Sequence, residues 1–597
     1  MGTMPVVSPA ARRASIVLRS ARNPKKITTV FSKLTRLWLS TQVSHRGKYS
    51  IERLLALQEY TQHTSILRVF IVCIGTPLPM VFFVVALEFV PLQELSAGWE
   101  GNVGLWVCSA VICVVIASTM LVELKHLIDG VQISIRQALL VLLCVMVGDT
   151  ALCMTAAAYL AFPIPFMSIL MVPPLLAIVA VTLRITFGAA GFSKLMQQSA
   201  QMYGFVLFIF AQALTLLIYP VYQVLFDAVV NTNWETSVML LLPVVKMITK
   251  NIVASSIHYM EDMLPESVIF TVDFFNAVYV ATCMQRASST ITVTVIMTFD
   301  MFHTVYALRS LYVNTAGIKR RMNRDMGSTI DNLDLLEIGY SLCQYQDKLE
   351  RQDLSQILLR SCIPHKLSAP GKAFLSRLEK YPLKNAVKGH SRRNSSILPD
   401  NYPGSGWESA KRLTTKTYAL STINVFPVKP IAREFRTGSI ISAYSVPPSQ
   451  ILQRTLGNLF TTECMLLTEY LESFTPLFYA SFLCVMVQLP NAQYHKEMEG
   501  ITTENINDTV RIVFLNGFLE CVSFFVLVAV IRQTIGINAL FHLAFVLETQ
   551  TALIQSKLVV WMLLTLTCRI VHYGAFINFC LSVLLDQTIA LDEFWGE

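Results

Sequence analysis

The sequence predicts an all-α polytopic integral membrane protein with about twelve transmembrane helices, arranged in two blocks of eight and four. Of the 597 residues, 54% are hydrophobic and only 14% are charged, and the mean hydropathy is +0.53. A soluble protein carries about 25% charged residues. Apolar runs of about 20 residues, each long enough to cross a bilayer core of about 30 Å, recur along the chain. This composition excludes collagen, a disordered chain and a secreted disulfide scaffold.

Residues 1–67 are predicted to form a basic cytoplasmic tail. The first 50 residues contain ten Lys and Arg and no Asp or Glu, and such segments stay in the cytoplasm because translocating them is costly. Their apolar runs are too short for a cleaved secretory signal. We expect the tail to contact anionic lipid headgroups in the plasma membrane or an endomembrane. A mitochondrial transit peptide, and with it a mitochondrial membrane, is the alternative because such peptides are also rich in Arg and Ser.

The first transmembrane block is predicted over residues 68–313. Pro77 and Pro79 predict an interruption of its first helix, where neighbouring groups or Thr76 would bond to the freed backbone groups. The Pro173-Pro174 pair predicts a break near the middle of the fourth helix. The seventh helix is short and partly polar, so a re-entrant or bundle-interior segment is an alternative to a lipid-facing span. Eight crossings return the chain to the basic run Lys319-Arg320-Arg321, as the positive-inside rule requires. The eight helices are expected at about 69–90, 105–122, 138–161, 164–187, 202–225, 237–258, 268–284 and 288–313.

Residues 314–455 are predicted to form a cytoplasmic loop that is partly helical and partly disordered. Apolar residues recur at helical spacing over 333–359, and a basic tract rich in Ser and Pro follows. In that tract Arg392 and Arg393 precede Ser395 in the pattern that basophilic kinases select, which makes Ser395 a candidate phosphorylation site and such a kinase a candidate partner. A chance match is the alternative. A phosphate would add a charge of about −2 and weaken any contact with anionic lipid.

The second transmembrane block is predicted over residues 456–580, followed by a short tail at 581–597. We expect an amphipathic segment at 452–472 and spans at 474–489 and 512–531. The last segment should form either a hairpin or one span with an interfacial helix. Asn507-Asp508-Thr509 is an N-glycosylation sequon, and the number of crossings places it on the external or lumenal side. The same parity places both chain termini in the cytoplasm.

Six short segments stand out, namely Thr76-Pro77-Leu78-Pro79, Gly98-Trp99-Glu100-Gly101-Asn102, Phe162-Pro163-Ile164-Pro165, Val272-Asp273-Phe274-Phe275-Asn276-Ala277, Leu489-Pro490-Asn491-Ala492, and Leu547-Glu548 with Gln555-Ser556-Lys557-Leu558. Together they resemble a large family of multi-pass membrane proteins from oomycetes. The resemblance covers both hydrophobic blocks but neither the tail nor the linker. That family has no assigned biochemistry, so the resemblance implies an architecture and no functional residues.

Charged side chains within the predicted spans are functional candidates because a charge at mid-membrane costs about 2.5 to 3.5 kcal/mol on insertion scales. One interpretation places Asp149, Asp273 and Asp300 around a buried cavity. In it Lys246 is the counter-charge and His303 a proton acceptor near physiological pH. The alternative is a set of interhelical ion pairs that fix packing. Arg184 and Lys250, nearer the helix ends, are expected to reach the headgroups. The intramembrane candidates are Asp149, Lys246, Asp273, Asn276, Asp300, His303 and Glu520.

No motif in the sequence names a reaction. Patterns for zinc hydrolysis, phosphate binding and a nucleophile elbow are missing, so we expect no enzyme, cofactor or metal. The basic tracts are typical of a membrane surface and not of nucleic-acid binding. The thirteen cysteines form no C-x-x-C pair and are expected to be packing residues.

Helices interrupted by proline, combined with charges at mid-membrane, are typical of transporters. The leading hypothesis is therefore a small-solute or ion transporter with a polar site near the midplane. A channel is one alternative. A membrane scaffold or receptor whose cytoplasmic linker recruits partners is another.

Overall fold

The computed structural model describes residues 47–164, 166–287, 290–326, 334–344, 357–379 and 448–573. Within these ranges the regular structure is helical, and one isolated antiparallel bridge joins His495 and Ile570. The all-α prediction is therefore confirmed. Ser395, residues 1–46 and residues 574–597 lie outside the described ranges, so the predictions made for them stay predictions.

The main helices are numbered α1 to α15 in chain order. Single helical turns at Met167–Leu170 and Glu235–Met239 precede α6 and α8, and an unnumbered helix covers 369–379. The bounds are α1 Ile51–His63, α2 Ile66–Gly75, α3 Leu78–Glu88, α4 Val103–Leu127, α5 Ile135–Tyr159, α6 Val172–Gln197, α7 Ser199–Val229, α8 Leu242–Ser256, α9 Leu264–Arg286, α10 Thr290–Met326, α11 Leu335–Gln344, α12 Pro448–Met486, α13 Ile506–Ile535, α14 Ala539–Thr549 and α15 Thr551–Thr567.

The described ranges contain nine helical segments that are long and apolar enough to cross a membrane. The pair α14 and α15, bent by 82°, forms a tenth if it counts as one span. Large apolar side chains such as Phe82, Phe210, Phe302 and Phe525 are exposed on the outside of the bundle. Lipid accommodates such a surface, whereas water does not. The chain is thus a multi-pass integral membrane protein.

The bundle has two ends, named proximal and distal. At the proximal end the backbone N–H of Ile51, at the start of α1, donates to the carbonyl of Leu358 at 2.9 Å. Lys48 pairs with Glu261 at 3.0 Å in the turn before α9. The proximal end therefore joins the start of the described chain, the turn at 257–263 and the segment 357–379.

The distal end joins the loop at 89–102 to the turns at 490–498 and to the end of α15. The amide of Asn491 donates to the carbonyls of Glu88 and Val90, at 2.9 and 2.8 Å, and its Oδ1 accepts from the N–H of Leu92. The N–H of Lys496 donates to the carbonyl of Arg569 at 3.2 Å. Contacts from both hydrophobic blocks thus close this end.

Two helices, α9 and α15, occupy the centre of the bundle. Every residue from Leu264 to Met284 and from Lys557 to Thr567 is buried. α9 packs against α7, α8, α12 and α13, whereas α15 packs against α3 and α4. The seventh predicted helix is therefore a bundle-interior segment, and its polar residues face protein instead of lipid. Since α15 belongs to the second block, the two blocks in sequence form one bundle.

The proline positions explain two irregularities. The first span breaks between Gly75 and Leu78, as predicted, and two groups satisfy the interrupted ladder: Thr76 Oγ1 donates to the carbonyl of Val72 at 2.7 Å, and Gln555 Nε2 donates to the carbonyl of Thr76 at 2.6 Å. In the fourth span the break lies at Met171, near the start and not in the predicted middle. The Pro173-Pro174 pair occupies the first turn of α6, where a missing N–H costs little.

The segment expected as an amphipathic piece followed by a separate span is one continuous helix, α12, of 39 residues. It packs along the length of α13 and also contacts α9 and α10. Pro476 lies inside this helix. Because other helices surround α12 on several sides, acidic residues are tolerated in it. Those acidic residues explain why the composition of this segment did not indicate a span.

Candidate functional site

A group of charged side chains lies between the two ends of the bundle, where α8, α9, α10, α12 and α13 meet. α8 supplies two lysines and α9 an aspartate from the turn of π-helix at Ile269–Asp273. α10 supplies an aspartate and a histidine, α12 two glutamates and α13 one. This group is named the acidic cluster and consists of Lys246, Lys250, Asp273, Asp300, His303, Glu469, Glu472 and Glu520.

Asp273 is fully buried and lies at the centre of the ion pairs. Its Oδ1 is 2.7 Å from Lys250 Nζ and 3.5 Å from Lys246 Nζ, and its Oδ2 accepts a hydrogen bond from Thr468 Oγ1 at 2.9 Å. Lys246 also contacts Glu472 Oε1 at 2.5 Å. The expectation that Lys250 reaches the headgroups is wrong, because an interior carboxylate holds its ammonium group.

The turn of π-helix explains how α9 forms polar contacts with two different helices at the same depth in the bundle. Thr271 accepts a hydrogen bond from Lys557 of α15 at 3.2 Å, whereas Asp273, two residues on, pairs with α8. The wider turn adds a residue to the helical ladder and is frequent at functional sites. It therefore brings two polar side chains to different partners within one turn.

The remaining carboxylates of the cluster have fewer cationic partners. Glu469 accepts hydrogen bonds from Thr304 Oγ1 at 2.6 Å and Ser523 Oγ at 3.2 Å, which links α10, α12 and α13. Asp300 and Glu520 lie within electrostatic reach of Glu472 and Lys246. Among the described residues, neither forms an ion pair with a basic side chain.

The acidic cluster thus has more acids than bases. Its five carboxylates face two lysines, and His303 lies exposed on α10 within electrostatic reach of Lys246 and Glu472. Asn276, one turn after Asp273, is buried, and its Oδ1 accepts no hydrogen bond from the described part of the chain. Burying several like charges is costly. The arrangement therefore favours protons or cations over anions.

Asp149 lies in a different part of the bundle, beside a cavity lined by α4, α5, α6, α7 and α15. The thiol of Cys113 donates to Asp149 Oδ2 at 2.9 Å, and Cys153 lies 3.9 Å from the same oxygen. α5 packs against α4 and α6 and not against the helices of the acidic cluster. The structure therefore brings Asp273 and Asp300 together but separates Asp149 from both.

A second buried ion pair joins the two halves of the chain near this cavity. Lys557 Nζ of α15 lies 2.7 Å from Glu123 Oε1 of α4, and Gln212 Nε2 of α7 donates to the same oxygen at 2.7 Å. Both charged side chains are fully buried. The two charges neutralise each other, which is typical of an interhelical packing contact, although Glu123 Oε2 accepts no hydrogen bond from the described residues.

The proximal end contains a buried arginine that contacts three carboxylates. Arg53 pairs with Glu266, with Glu463 at 2.8 Å and with Asp262 at 3.6 Å. His542 Nε2 lies 3.0 Å from Glu463 Oε2. Burial opposes the charge of Arg53, but the three carboxylates raise its pKa well above the ordinary value. This network ties α1 to α9, α12 and α14.

The distal end contains a second such network. Arg569 pairs with Glu497, and His495 Nε2 lies 3.1 Å from Glu88 Oε2. Burial disfavours a charged His495, yet its contacts with Glu497 and Glu88 raise its pKa to about 9. Burial also opposes the charge of Glu497, but Arg569 and His495 lower its pKa to about 2. Arg569 Nη2 donates to Thr282 of α9 at 2.9 Å.

Several residues of these networks were not among the sequence candidates. Glu469 and Glu472 fell in the segment 452–472, which was expected to be amphipathic and separate from the span at 474–489, although the apolar periodicity continues through both residues into that span. Arg53 lies before the first predicted span, so only its tertiary contacts reveal it. The residues missed were Arg53, Glu123, Glu266, Glu463, Glu469, Glu472, Glu497, His495, His542 and Lys557.

The described residues contain no group of three or more His, Cys, Asp or Glu side chains arranged to hold a metal ion. The cysteines within the described ranges are free thiols. Comparisons of the chain with protein-family models, with curated proteins and with solved structures gave no match.

Proposed function

We propose that this protein is a membrane transporter that moves protons or small cations, alone or coupled to a small solute, past the acidic cluster. The surplus of carboxylates over lysines between the two ends of the bundle carries the proposal. A purely structural ion-pair network tends to balance its charges, because an unpaired buried carboxylate is costly. Asp300 and Glu520, which are half-buried among the helices of the cluster, form no balancing ion pair with a basic side chain among the described residues.

The helices around the cluster also support transport. α8 begins with Pro243 in its first turn, α12 contains Pro476, and α9 contains the turn of π-helix that ends at Asp273. A proline or a turn of π-helix leaves backbone carbonyls without a partner in the regular helical ladder, and such departures are frequent at transporter and other functional sites. His303, exposed on α10 within electrostatic reach of Lys246 and Glu472, offers a neighbouring side chain that can accept a proton.

The proposed topology has eleven crossings up to Tyr573, one fewer than the twelve inferred from sequence. The nine apolar segments, the bent pair α14 and α15, and α12 are each one crossing. α12 contacts Thr315 near its start and Gln285 near its end, at opposite ends of the bundle. The proximal end, which carries Lys319 and Arg320, faces the cytoplasm. The protein resides in the plasma membrane or an endomembrane.

Proton flux into reconstituted vesicles tests the proposal. Vesicles loaded with the pH-sensitive dye pyranine receive a negative interior potential from a potassium gradient and valinomycin. Asp300→Asn and Glu520→Gln remove unpaired carboxylates and should leave abundance unchanged while reducing flux by about tenfold or more. Asp508→Asn changes an exposed carboxylate at the distal start of α13 and is the matched control. The same vesicles are assayed in parallel for uptake of radioactive sodium.

The outcomes separate a route from packing. Flux that falls in both variants at normal abundance supports the proposal. Flux of protons and sodium no greater than in protein-free vesicles, or flux unchanged in both variants, refutes it. Asp273→Asn is not a suitable probe of transport, because it leaves Lys250 without its carboxylate and removes one of the two carboxylates that contact Lys246, and should lower abundance.

A channel would use the same residues, and unitary currents in planar bilayers distinguish it from a transporter. The scaffold or receptor alternative depends on the cytoplasmic linker predicted at 314–455, whose residues 380–447 lie outside the described ranges, and no contact of its described residues favours that alternative. We further propose that the chain belongs to the oomycete family that it resembles. Several residues of the resembling segments make contacts between distant helices, including Asn491, Gln555 and Lys557.

A further inference from the structure

A cavity of about 100 Å³ lies inside the membrane-spanning part of the bundle, apart from the acidic cluster. Its wall is mostly apolar and includes Ile116, Met120, Leu175, Ile209 and Leu564. An apolar cavity of about 150 Å³ binds benzene and stays free of water. By the same ratio, this cavity has room for about four non-hydrogen atoms of an apolar ligand, the size of a short alkyl chain.

One end of the cavity carries a carboxylate with an unused acceptor. Asp149 is 1% exposed and lines the wall. Its Oδ2 accepts from the Cys113 thiol, whereas its Oδ1 accepts no hydrogen bond from the described part of the chain. No basic side chain within the described ranges forms an ion pair with it. A buried carboxylate without a counter-charge is costly, and a bound cation would remove that cost.

The other charge on the cavity wall is already compensated. Glu123 lines the cavity, but Lys557 supplies its counter-charge and Gln212 donates to its Oε1, so its Oε2, which accepts no hydrogen bond within the described part of the chain, belongs to a neutralised pair. Cys113, which contacts Asp149, and Glu123 lie ten residues apart on α4, which corresponds to a rise of about 15 Å along the helix axis. The cavity thus offers one uncompensated negative charge at one end and an apolar wall beyond it.

We propose that this cavity binds a small aliphatic monoammonium ion, with its ammonium group on Asp149 and its alkyl group along the apolar wall. The ammonium group donates to Asp149 Oδ1 and supplies the missing positive charge. The carboxylate repels anions, and a neutral alcohol supplies the donor but not the charge. A single ammonium group fits better than two because Glu123 already has its cation. The helices that line this cavity are α4, α5, α6, α7 and α15, whereas the acidic cluster lies on α8, α9, α10, α12 and α13. Each of the two proposals therefore stands without the other.

Equilibrium dialysis of the purified full-length chain tests the proposal. The probe is radiolabelled n-butylamine at pH 7, where it is charged, and protein-free detergent micelles give the baseline. We expect saturable binding of about one molecule per chain. Excess unlabelled n-butylamine should displace the probe, whereas n-butanol and butyrate, of similar size but neutral and negative, should not.

Two variants test the site from different directions. Asp149→Asn removes the charge at nearly constant volume and should weaken binding by at least tenfold. Ala213→Leu keeps the carboxylate but adds bulk at the cavity wall, and should weaken binding similarly. Asp508→Asn, an exposed carboxylate at the distal end, should bind as the wild type does. Size-exclusion profiles and melting temperatures show that each variant is folded.

Three results would overturn the proposal. The first is wild-type binding no greater than that of empty micelles. The second is displacement by n-butanol as strong as by n-butylamine, which would indicate an apolar site without charge selection. The third is unchanged binding in either Asp149→Asn or Ala213→Leu. If one variant does not fold, the other still decides, because each changes the cavity in its own way.

Discussion

Replacing Arg53 with methionine should destabilise the protein strongly. The guanidinium group is fully buried and pairs with Glu266, Glu463 and Asp262. Methionine fills a similar volume but leaves the three carboxylates without their common cation. Removing one partner of a buried ion pair costs about 3 to 5 kcal/mol. Because each 1.4 kcal/mol is tenfold, the unfolding constant should rise by roughly two to three and a half powers of ten.

The assay is reversible unfolding in mixed detergent and SDS micelles, followed by far-ultraviolet circular dichroism. Arg68→Met is the matched control. Arg68 also pairs with a glutamate, Glu548, but its side chain is 61% exposed, so its loss should change stability little. Equal effects of the two substitutions, or a loss below about 1 kcal/mol for Arg53→Met, would refute the reasoning from burial.

A combined variant separates lost charge from lost packing. Adding Glu266→Gln and Glu463→Gln to Arg53→Met removes most of the unpaired negative charge. Neutral replacement of a whole buried ion pair is often near neutral for stability. The triple variant should therefore regain part of the stability that Arg53→Met loses. No recovery would mean that packing, and not charge, causes the loss.

Three other expectations concern the distal end and the bilayer. The pKa of His495 is raised from 6.5 to about 9, so its charged form adds stability that is complete below pH 6.5 and is lost as the pH rises to 9. The pKa of Glu497 is lowered from 4.5 to about 2, so its charged form adds stability that is lost as the pH falls from 4.5 to 2. Melting temperatures should thus be highest between pH 4.5 and 6.5, and His495→Gln should flatten the alkaline decline. Gly104→Ala places a Cβ 2.1 Å from a backbone carbonyl oxygen of the preceding loop and should lower the free energy of unfolding by about 1 to 3 kcal/mol in the SDS titration. Gly75→Ala is the control, because no atom lies within 4 Å of the added Cβ, and it should not destabilise the protein. If the distal end is lumenal, Asn507→Gln should abolish a glycosidase-sensitive shift in gel mobility, and a shift that persists would mean that another residue is modified.

Hydropathy alone predicted most of the helices, because lipid-facing helices must be apolar whatever their neighbours are. The break at Thr76 was also predictable, since a proline pair removes backbone donors locally. The second half of α12 was predicted as a span, but its continuation through the first half was not, because Glu463, Glu469 and Glu472 lower the hydropathy there and are tolerated only through contacts with other helices. A single sequence contains no record of those contacts.

The same limit applies to the candidate site. The cost of mid-membrane charge singled out Lys246, Asp273 and Asp300 correctly as neighbours. It also grouped Asp149 with them, because depth in the membrane can be read from sequence but the neighbouring helix cannot. Asp149 and Asp273 both lie on interior helix faces, yet α5 and α9 have different partners. The sequence therefore predicts the depth of a charged residue in the membrane better than it predicts which helices surround that residue.

α9 shows why charge in this bundle has two distinct consequences. Its buried polar residues each contact a different network: Glu266 joins Arg53, Thr271 joins Lys557, Asp273 joins the lysines of α8, and Thr282 joins Arg569. A substitution in α9 therefore disturbs packing wherever it falls. Asp300 and Glu520, on the peripheral helices α10 and α13, form no ion pair with a lysine or arginine of the part of the chain that the structure describes. Loss of function without loss of protein is expected at those two positions, and that difference separates a transport route from a structural charge network.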